Sequence, residues 1–391
     1  MTKDYIVFMD FDGTITTKDV GYEMFRKFTE GRTQPVVDLY RRGEVNSYTC
    51  LKTECQIWNR FPPAETEVLK YLNNQDFTGG FDRFIEMMNE SDIRTCIVSE
   101  GFDFYINALL NSNGYPGLER ITNKAVYKNG KIIPEFPYLG QGCGECSNCK
   151  GFHINRLTDP KTSAVFVGDG HSDFHGARAA DIVFARSFLK EALEKTGRNY
   201  FEYGDFYDII EIWKKISSRK LFAFSGRLSF CRASGDRRED FENLWQNGEV
   251  MKNVGYPAGL NWNRQQYDDF WETLNNRNFI LFAVEDKKGN FLGEAKLSFP
   301  GEDNCCSHDV KLLPEYQGKG YGRESWLLLL ELSRRRWPES VLEVTPSIDN
   351  EAAIELYSSL GFEFDGEQGE WNPPRGTPGA VTVHYRRMIK H

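Results

Sequence analysis

No run of about 18 apolar residues, the length a helix needs to cross a bilayer, occurs in the 391-residue chain, so a membrane span is not expected. The longest aliphatic block, Leu327–Leu330, falls in a segment patterned as an amphipathic helix. Basic runs are missing as well. With 48 Lys and Arg against 57 Asp and Glu, the formal charge is −9, which speaks against a nucleic-acid face and an anionic-membrane anchor. The opening Met1-Thr-Lys-Asp-Tyr5 leads into an apolar segment that meets Asp10 at once, too short and too acidic for a signal peptide. Internal repeats and low-complexity tracts are lacking. Nine cysteines, an odd number in a chain too long to need staples, read as reduced thiols of a cytoplasmic protein. What remains is an ordinary globular mix, 40% hydrophobic and 14% aromatic. At roughly 100–200 residues per domain, this length implies two or three domains.

From Ile6 to about Trp213, short β-rich runs (6–9, 95–98, 164–167 and 182–185) alternate with longer helical stretches. That alternation predicts a parallel sheet with crossover helices. Ser217-Ser-Arg-Lys220 reads as a linker, giving domains at 1–216 and 223–391 joined by 217–222. The second half predicts strands at 226–233, 279–285, 291–299, 308–313 and 341–346, with a closing strand near 380–388. Helices are expected at 236–251, 264–275, 322–336 and 350–359.

Asp10-Phe-Asp-Gly-Thr14 follows an apolar strand directly, which delivers two carboxylates to the carboxyl edge of the sheet, where open α/β folds build their sites. Two acids one residue apart suit a division of labour: one attacks phosphorus, the other protonates the leaving oxygen and later activates water. Taken alone, the pentapeptide is also compatible with a turn and a capping Asp. Three further elements follow in order. Ser99, at the end of Thr95–Ser99 and followed by Glu100 and Gly101, offers a hydroxyl and backbone donors. Lys150 offers a cation. Gly168-Asp-Gly-His-Ser-Asp173 ends another apolar strand with two more carboxylates, the hard-oxygen environment that suits Mg²⁺.

Through these motifs residues 4–213 resemble the haloacid dehalogenase (HAD) phosphatases, in particular the phosphoserine-phosphatase-like branch. Thr14-Ile-Thr-Thr-Lys-Asp19 and the Cys-rich segment before Lys150 resemble the methionine-salvage phosphatases acting on 2-hydroxy-3-keto-5-methylthiopentenyl-1-phosphate. The resemblance implies that Asp10 forms an aspartyl-phosphate, Asp12 is the acid/base, and Ser99 and Lys150 hold the phosphoryl group. It also implies Mg²⁺ on Asp10, Asp169 and the Asp12 carbonyl, with Asp173 in support, and a small helical cap over about 15–80. Asp19 and Gly101 are expected near the substrate. Glu100 stands where Gly is common in the family, which puts a carboxylate beside the phosphate pocket and leaves the ester open.

Cys143-Gly-Glu-Cys146-Ser-Asn-Cys149 places three thiols within seven residues. A closed zinc site needs a fourth ligand, for which His153 is the nearest in sequence; the competing reading is a reduced loop that positions Lys150. The expectation is a structural loop and not a catalytic metal centre.

In the second half, Val310-Lys-Leu-Leu-Pro-Glu-Tyr-Gln317-Gly-Lys-Gly-Tyr-Gly322 runs from strand to helix. Its glycines can aim backbone N–H groups at an anion at a helix N-terminus, although a plain Gly-rich turn fits the same residues. The spacing is not that of a nucleotide-hydrolysing P-loop. With Asn350-Glu-Ala-Ala-Ile-Glu-Leu-Tyr357 downstream, residues 224–391 resemble the GNAT acetyltransferases, and Arg232-Ala-Ser-Gly-Asp236 resembles the opening of members that acetylate protein amino termini and aminoglycosides. The resemblance implies that Gln317, Gly318, Lys319, Gly320, Tyr321 and Gly322 cradle the pyrophosphate of acetyl-CoA, Val310 to Leu312 pair with pantetheine, and Asn350 contacts the cofactor. Tyr357 would protonate the leaving thiolate, or else pack in the core. Glu294, His308 and Asp309 are candidates for the base, as is a water relay.

The expected fold is therefore an α/β HAD-like Rossmannoid parallel sheet with a small helical cap, fused to an α/β GNAT domain. The expected function is bifunctional, a Mg²⁺-dependent phosphatase and an acetyl-CoA-dependent N-acetyltransferase on a small phosphorylated amine, with a phosphate ester and an amine acceptor as small-molecule partners. In the rival reading the GNAT half senses acyl-CoA or acylates a carrier protein. Oligomeric state is not legible.

Overall fold

A computed structural model describes residues 4–374 and 380–390. Contacts divide the chain into two units, 1–216 and 217–391.

The first unit is built on a seven-stranded sheet of β1 (Tyr5–Met9), β2 (Arg94–Phe102), β3 (Arg120–Lys128), β4 (Lys131–Glu135), β5 (Ser163–Gly168), β6 (Ile182–Ala185) and β7 (Phe201–Glu202). Its order is β4-β3-β2-β1-β5-β6-β7, all parallel except the β3–β4 hairpin. β1, β5 and β6 are buried along their whole length, because helices cover both faces of a parallel sheet; hence their unbroken apolar runs. Between β1 and β2 the chain leaves the sheet to build helices Val20–Phe28, Gln34–Arg41, Ser47–Trp58 and Glu65–Leu72, the expected helical cap. It leaves and returns through one doorway: Thr16 and Phe77 form an antiparallel bridge, Thr78 N–H donates to Ile15 O at 2.8 Å, and Thr17 N–H to Asp76 O at 3.0 Å.

The second unit contains two sheets. β8 (Leu221–Phe224), β9 (Leu228–Arg232), β10 (Phe279–Asp286), β11 (Phe291–Ser298) and β13 (Asp309–Leu312) form one, in the antiparallel order β13-β11-β10-β9-β8. β12 (Cys305–Cys306), β14 (Val341–Val344), β15 (Glu363–Trp371) and β16 (Val383–Lys390) form the other, in the order β12-β14-β16-β15. β10 shows how the first sheet is sandwiched: Ile280, Phe282 and Val284 join a core with Trp326 and Leu329 of helix Tyr321–Arg336, while Leu281 and Ala283 face Phe241 and Trp245 of helix Arg238–Gln246. Period-two alternation with both faces apolar is what two covered faces require.

The segment 217–222 is not a free linker. Helix Phe206–Ser218 runs into it and β8 begins at Leu221, with Lys220 turning at φ +49° between them. The apolar Leu-Phe-Ala-Phe of β8 pairs with β9, and this pairing outweighs the linker-like composition just before it.

Candidate functional site

β1 carries Asp10 to the carboxyl edge of the first sheet, where its N–H donates to Val167 O at 3.0 Å. The next residues wind one wide turn with Gly13 at φ +80°. A Cβ on Gly13 would lie 2.5 Å from Asp169 Oδ2, so glycine is what lets the loops after β1 and β5 meet. Thr14 then donates its hydroxyl to Asp169 Oδ1 at 2.7 Å. Arg186, which carried no signal in the sequence, donates to Gly13 O and ties the loop from below.

Lys150 opens helix Lys150–Leu157 and is fully buried. Its Nζ lies 2.9 Å from Asp10 Oδ1 and 2.9 Å from Ser172 Oγ, and it also donates to Asp173 Oδ1. The other Asp173 oxygen accepts the N–H groups of Asp169 at 2.8 Å and Gly170 at 2.7 Å. Both oxygens of Asp173 are thus engaged in holding Lys150 and the loop. Ser99, buried at the end of the straight part of β2, accepts the Gly101 N–H at 2.9 Å.

Asp10, Asp169 and Asp173 each bring a carboxylate oxygen within 4.8 Å of the others, against one buried ammonium. Burial, then the charge of Asp173, raises Asp10 well above the usual carboxylate range in spite of Lys150. Asp169 is pushed up to about 7 by burial and then by Asp173. Burial alone would lower Lys150, but Asp10 and Asp173 outweigh it and hold it above an ordinary lysine. An excess of buried negative charge on hard oxygen donors fits a divalent cation such as Mg²⁺.

Asp12 stands apart from this cluster. Its Oδ1 accepts the Gly21 N–H at 2.9 Å and its Oδ2 the Tyr105 hydroxyl at 2.5 Å, and burial followed by the charge of Asp19 pushes it up to about 7. Tyr105, on helix Asp103–Ser112, has no motif to announce it. Gly101 makes room for it: a Cβ there would meet the Tyr105 hydroxyl at 2.0 Å and Asp12 Oδ2 at 2.8 Å. Asp19 caps helix Val20–Phe28 by accepting the Tyr22 N–H at 2.8 Å and lines the same cavity.

That cavity, ≈580 Å³, has Asp10, Asp12, Ser99 and Asp169 on its sheet side, while Phe25, Val37, Arg41 and Glu54 line it from the cap. Glu54 is 4% exposed, pushed up to about 8 by burial and then by Asp19, and its Oε1 has no hydrogen-bond partner among the described residues. Glu100 is raised by burial too, against hydrogen bonds from Ser47 and from Ser147, the latter to its Oε2 at 2.8 Å.

His153, the residue nearest in sequence to complete a zinc set, is committed elsewhere. Its Nε2 lies 2.6 Å from Asn148 Oδ1 and its Nδ1 3.1 Å from Arg156 Nη2, and burial lowers it to about 4. The histidine beside the three thiols is His175, brought there by the packing of helix Phe174–Ala179 against helix Lys150–Leu157.

In the second unit, β13 is an edge strand of its sheet, so Val310 and Leu312 lie on a strand whose second edge is unpaired among the described residues. The chain continues through Gln317, whose Nε2 donates to Leu312 O at 2.9 Å. Gly318 and Gly320 follow at φ +70° and +82°, and the latter caps helix Tyr321–Arg336. Left-handed backbone before a helix start turns N–H groups toward one concavity. Arg227 braces this loop, donating to Lys319 O at 3.3 Å and to Glu324 Oε2 at 2.7 Å, with its guanidinium over the Tyr321 ring.

Asn350 caps helix Glu351–Ser359 through the Ala353 N–H. Tyr357 on that helix is half-buried, edge-on to Trp326 at 5.1 Å and tilted against Phe362 at 5.7 Å, and burial raises it above an ordinary phenol. Of the three candidates for the base, Glu294 and Asp309 pair with Lys311, and the Nε2 of His308 has no partner among the described residues. Glu294 accepts Trp245 Nε1–H at 2.7 Å and Lys311 Nζ at 2.8 Å, and Asp309 also pairs with Lys311. His308 is lowered to about 3 by burial, and its Nδ1 accepts the Ser298 N–H at 3.2 Å, which leaves its proton on Nε2.

Residues 7–178 match the haloacid dehalogenase-like hydrolase family, and residues 243–362 match the acetyltransferase (GNAT) family. The first half is 28% identical over 219 residues to a 2-hydroxy-3-keto-5-methylthiopentenyl-1-phosphate phosphatase of Bacillus thuringiensis, covering 55% of this chain and 98% of that one. It is also 28% identical over 221 residues to the bifunctional enzyme MtnB/MtnX of Bacillus licheniformis, covering 55% of this chain and half the length of that relative. A spermidine N-acetyltransferase from Vibrio cholerae, solved with CoA and spermine, aligns with 42% of this chain and 94% of its own at a TM-score of 0.35 and 19% identity. No helix among the described residues is long and apolar enough to cross a membrane.

Proposed function

From a chain that joins an HAD phosphatase domain to a GNAT acetyltransferase domain, we infer a bifunctional enzyme that hydrolyses small phosphate monoesters and transfers acetyl groups from acetyl-CoA to an amine. The observation that carries the hydrolase reading is the buried ammonium of Lys150, 2.9 Å from Asp10 and flanked by Asp169 and Asp173. Asp10 attacks phosphorus as the carboxylate that the Lys150 ammonium favours, and Lys150 with the Ser99 hydroxyl binds the equatorial oxygens. The bond from phosphorus to the ester oxygen breaks as one to Asp10 forms. Asp12, near 7 and thus substantially protonated at neutral pH, gives its proton to the leaving alkoxide. As a carboxylate it then takes a proton from the water that displaces Asp10, releasing phosphate. Asp10, Asp169 and the Asp12 carbonyl are the donors that would hold Mg²⁺, whose chemistry is to neutralise the carboxylate and phosphoryl charge.

The relatives' named substrate is a 1-phosphate, and a cavity of ≈580 Å³ is in the usual range for a small-molecule ligand. The amine class is supported by Glu54, a cavity carboxyl whose buried Oε1 has no partner among the described residues and which an ammonium on the substrate would satisfy. In the second domain the edge of β13 would pair with pantetheine, the loop Gln317–Gly322 would take the pyrophosphate, and Tyr357 would protonate the departing thiolate. With Glu294 and Asp309 paired to Lys311 and the basic Nδ1 of His308 already accepting the Ser298 N–H, a water relay is the favoured route for the amine proton.

Asp10→Asn tests the hydrolase: the amide cannot attack phosphorus, so hydrolysis of an aryl phosphate with Mg²⁺ is expected to vanish. Near-wild-type turnover in that variant, or full activity after chelation, overturns the reading. A panel of phosphorylated amines, with phosphate and CoA release followed in parallel, tests the substrate class.

A further inference from the structure

We propose that Cys143, Cys146, Cys149 and His175 bind a structural zinc ion, separate from the carboxylate centre. The three thiol sulfurs and a ring nitrogen of His175 all lie within 4.8 Å of one another, with Cys146 Sγ 3.3 Å from His175 Nδ1. Three sulfurs and one imidazole in a closed set are a tetrahedral zinc donor set, distinct from the oxygen donors that hard cations take.

The loop is shaped to hold thiolates. The N–H groups of Glu145 and Cys146 both point at Cys143 Sγ, at 3.4 Å, as donors that would stabilise a metal-bound sulfur. Gly144 supplies the left-handed turn between the first two cysteines at φ +78°. At Gly142, φ +72°, a Cβ would lie 2.9 Å from Cys149 Sγ, so the loop closes on itself only with glycine there. All nine cysteines are free thiols in the structure. Cys143 is exposed, which gives the ion a way in, while Cys146 and Cys149 are buried. Binding Zn²⁺ displaces three thiol protons and leaves a site of net charge −1.

The position explains what such an ion would do. Cys149 is the N-cap of the helix that Lys150 opens, and His175 lies two residues beyond Asp173, the partner of Lys150. Between Cys146 and Cys149, Ser147 donates to Glu100 and Asn148 donates to Ser99 O at 2.8 Å. A Cβ on Gly151 would come within 2.7 Å of His175 O, so the two helices touch at this point. One ion would thus clamp both elements whose side chains make the Lys150–Asp173 pair, as a positioning device outside the chemistry.

Elemental analysis of the purified full chain is expected to find about one zinc per chain after a wash with chelator that strips Mg²⁺. X-ray absorption should show three sulfurs at about 2.3 Å and one nitrogen at about 2.0 Å. His175→Cys should keep the ion with four sulfurs, and His175→Ala and Cys143→Ser should each weaken zinc retention at least tenfold. Asp10→Asn should hold zinc at the wild-type level; its loss there would move the metal to the carboxylates and overturn the assignment. Sub-stoichiometric zinc in the wild type, an absorption spectrum with only oxygen and nitrogen neighbours, or a disulfide among these cysteines in the freshly isolated chain also overturns it.

Discussion

The hydroxyl of Tyr105 donates to Asp12 Oδ2 at 2.5 Å through a gap that only glycine at position 101 leaves open. This bond favours the ionised carboxylate and opposes the effects of burial and Asp19. Tyr105→Phe is therefore expected to raise Asp12 further and to move the alkaline limb of the pH profile for aryl-phosphate hydrolysis upward. Turnover at pH 7 should fall by about tenfold, because the basic form needed to activate water becomes scarcer. An alkaline limb that does not move would show that Asp12 is not the titrating acid.

Glu54 predicts a pH dependence of stability. Its carboxyl is near 8 in the folded chain and near 4.5 when unfolded. Between those values the unfolded chain has lost the proton and the folded chain still carries it, so stability declines as pH rises through this window and levels off above about 8. Glu54→Gln removes the titration. The variant should match wild type near pH 4.5 and exceed it at pH 8.5 by at least about 1 kcal/mol, measured by denaturant melts of the first unit. Equal stability at the higher pH would mean that the carboxyl is not desolvated as found.

Binding and chemistry should separate in the second unit. Gly320 stands at φ +82°, with Arg227 Nη2 3.3 Å from where a Cβ would sit, so Gly320→Val should weaken acetyl-CoA binding strongly in calorimetric titration and spare the phosphatase. Tyr357→Phe keeps the contacts with Trp326 and Phe362 but has no proton to give. Binding should persist while CoA release falls about 10²- to 10⁴-fold. Normal turnover would return Tyr357 to packing alone.

Residues 1–218 expressed alone should fold and hydrolyse aryl phosphates at a rate within about twofold of the full chain. All of the seven-stranded sheet and the cavity lie within them, and Trp213 of the last helix packs edge-on to Tyr5 at 5.0 Å. A folded but inactive fragment would show that the second unit contributes to hydrolysis.

The buried parallel strands β1, β5 and β6 were legible because burial on two faces writes an uninterrupted apolar run, and each motif carboxylate sits at such a run's end. β3 and β15 were not. β3, Arg-Ile-Thr-Asn-Lys-Ala-Val-Tyr-Lys, has no regular alternation and is only partly buried over its outer half, and β15, Glu-Phe-Asp-Gly-Glu-Gln-Gly-Glu-Trp, is almost wholly exposed. Strands held by backbone pairing without a covered face leave no hydrophobic period. The same distinction runs through the site. Asp10, Asp12, Ser99, Lys150 and Asp169 belong to local motifs, whereas Tyr105, Glu54, Arg186 and His175 reach their places through packing between distant segments, for which no spacing rule exists. His153 looked closer than His175 only along the chain.

The bridge between Thr16 and Phe77 is one of several ties that fasten the cap. The cap is held at points far from it as well: Trp58 Nε1 donates to Gly130 O at 2.7 Å, Asn59 Nδ2 to Ile132 O at 2.6 Å, and the Ser147 N–H to Ser47 Oγ at 2.8 Å. Glu54 stands on the same helix as Trp58, so widening the cavity on that wall has to break these bonds, whereas the carboxylate cluster on the sheet edge loses none of its own. Exchange of the ester's distal portion then requires no dismantling of the carboxylate cluster. Lengthening that portion should slow entry and exit before it disturbs the bond-breaking step.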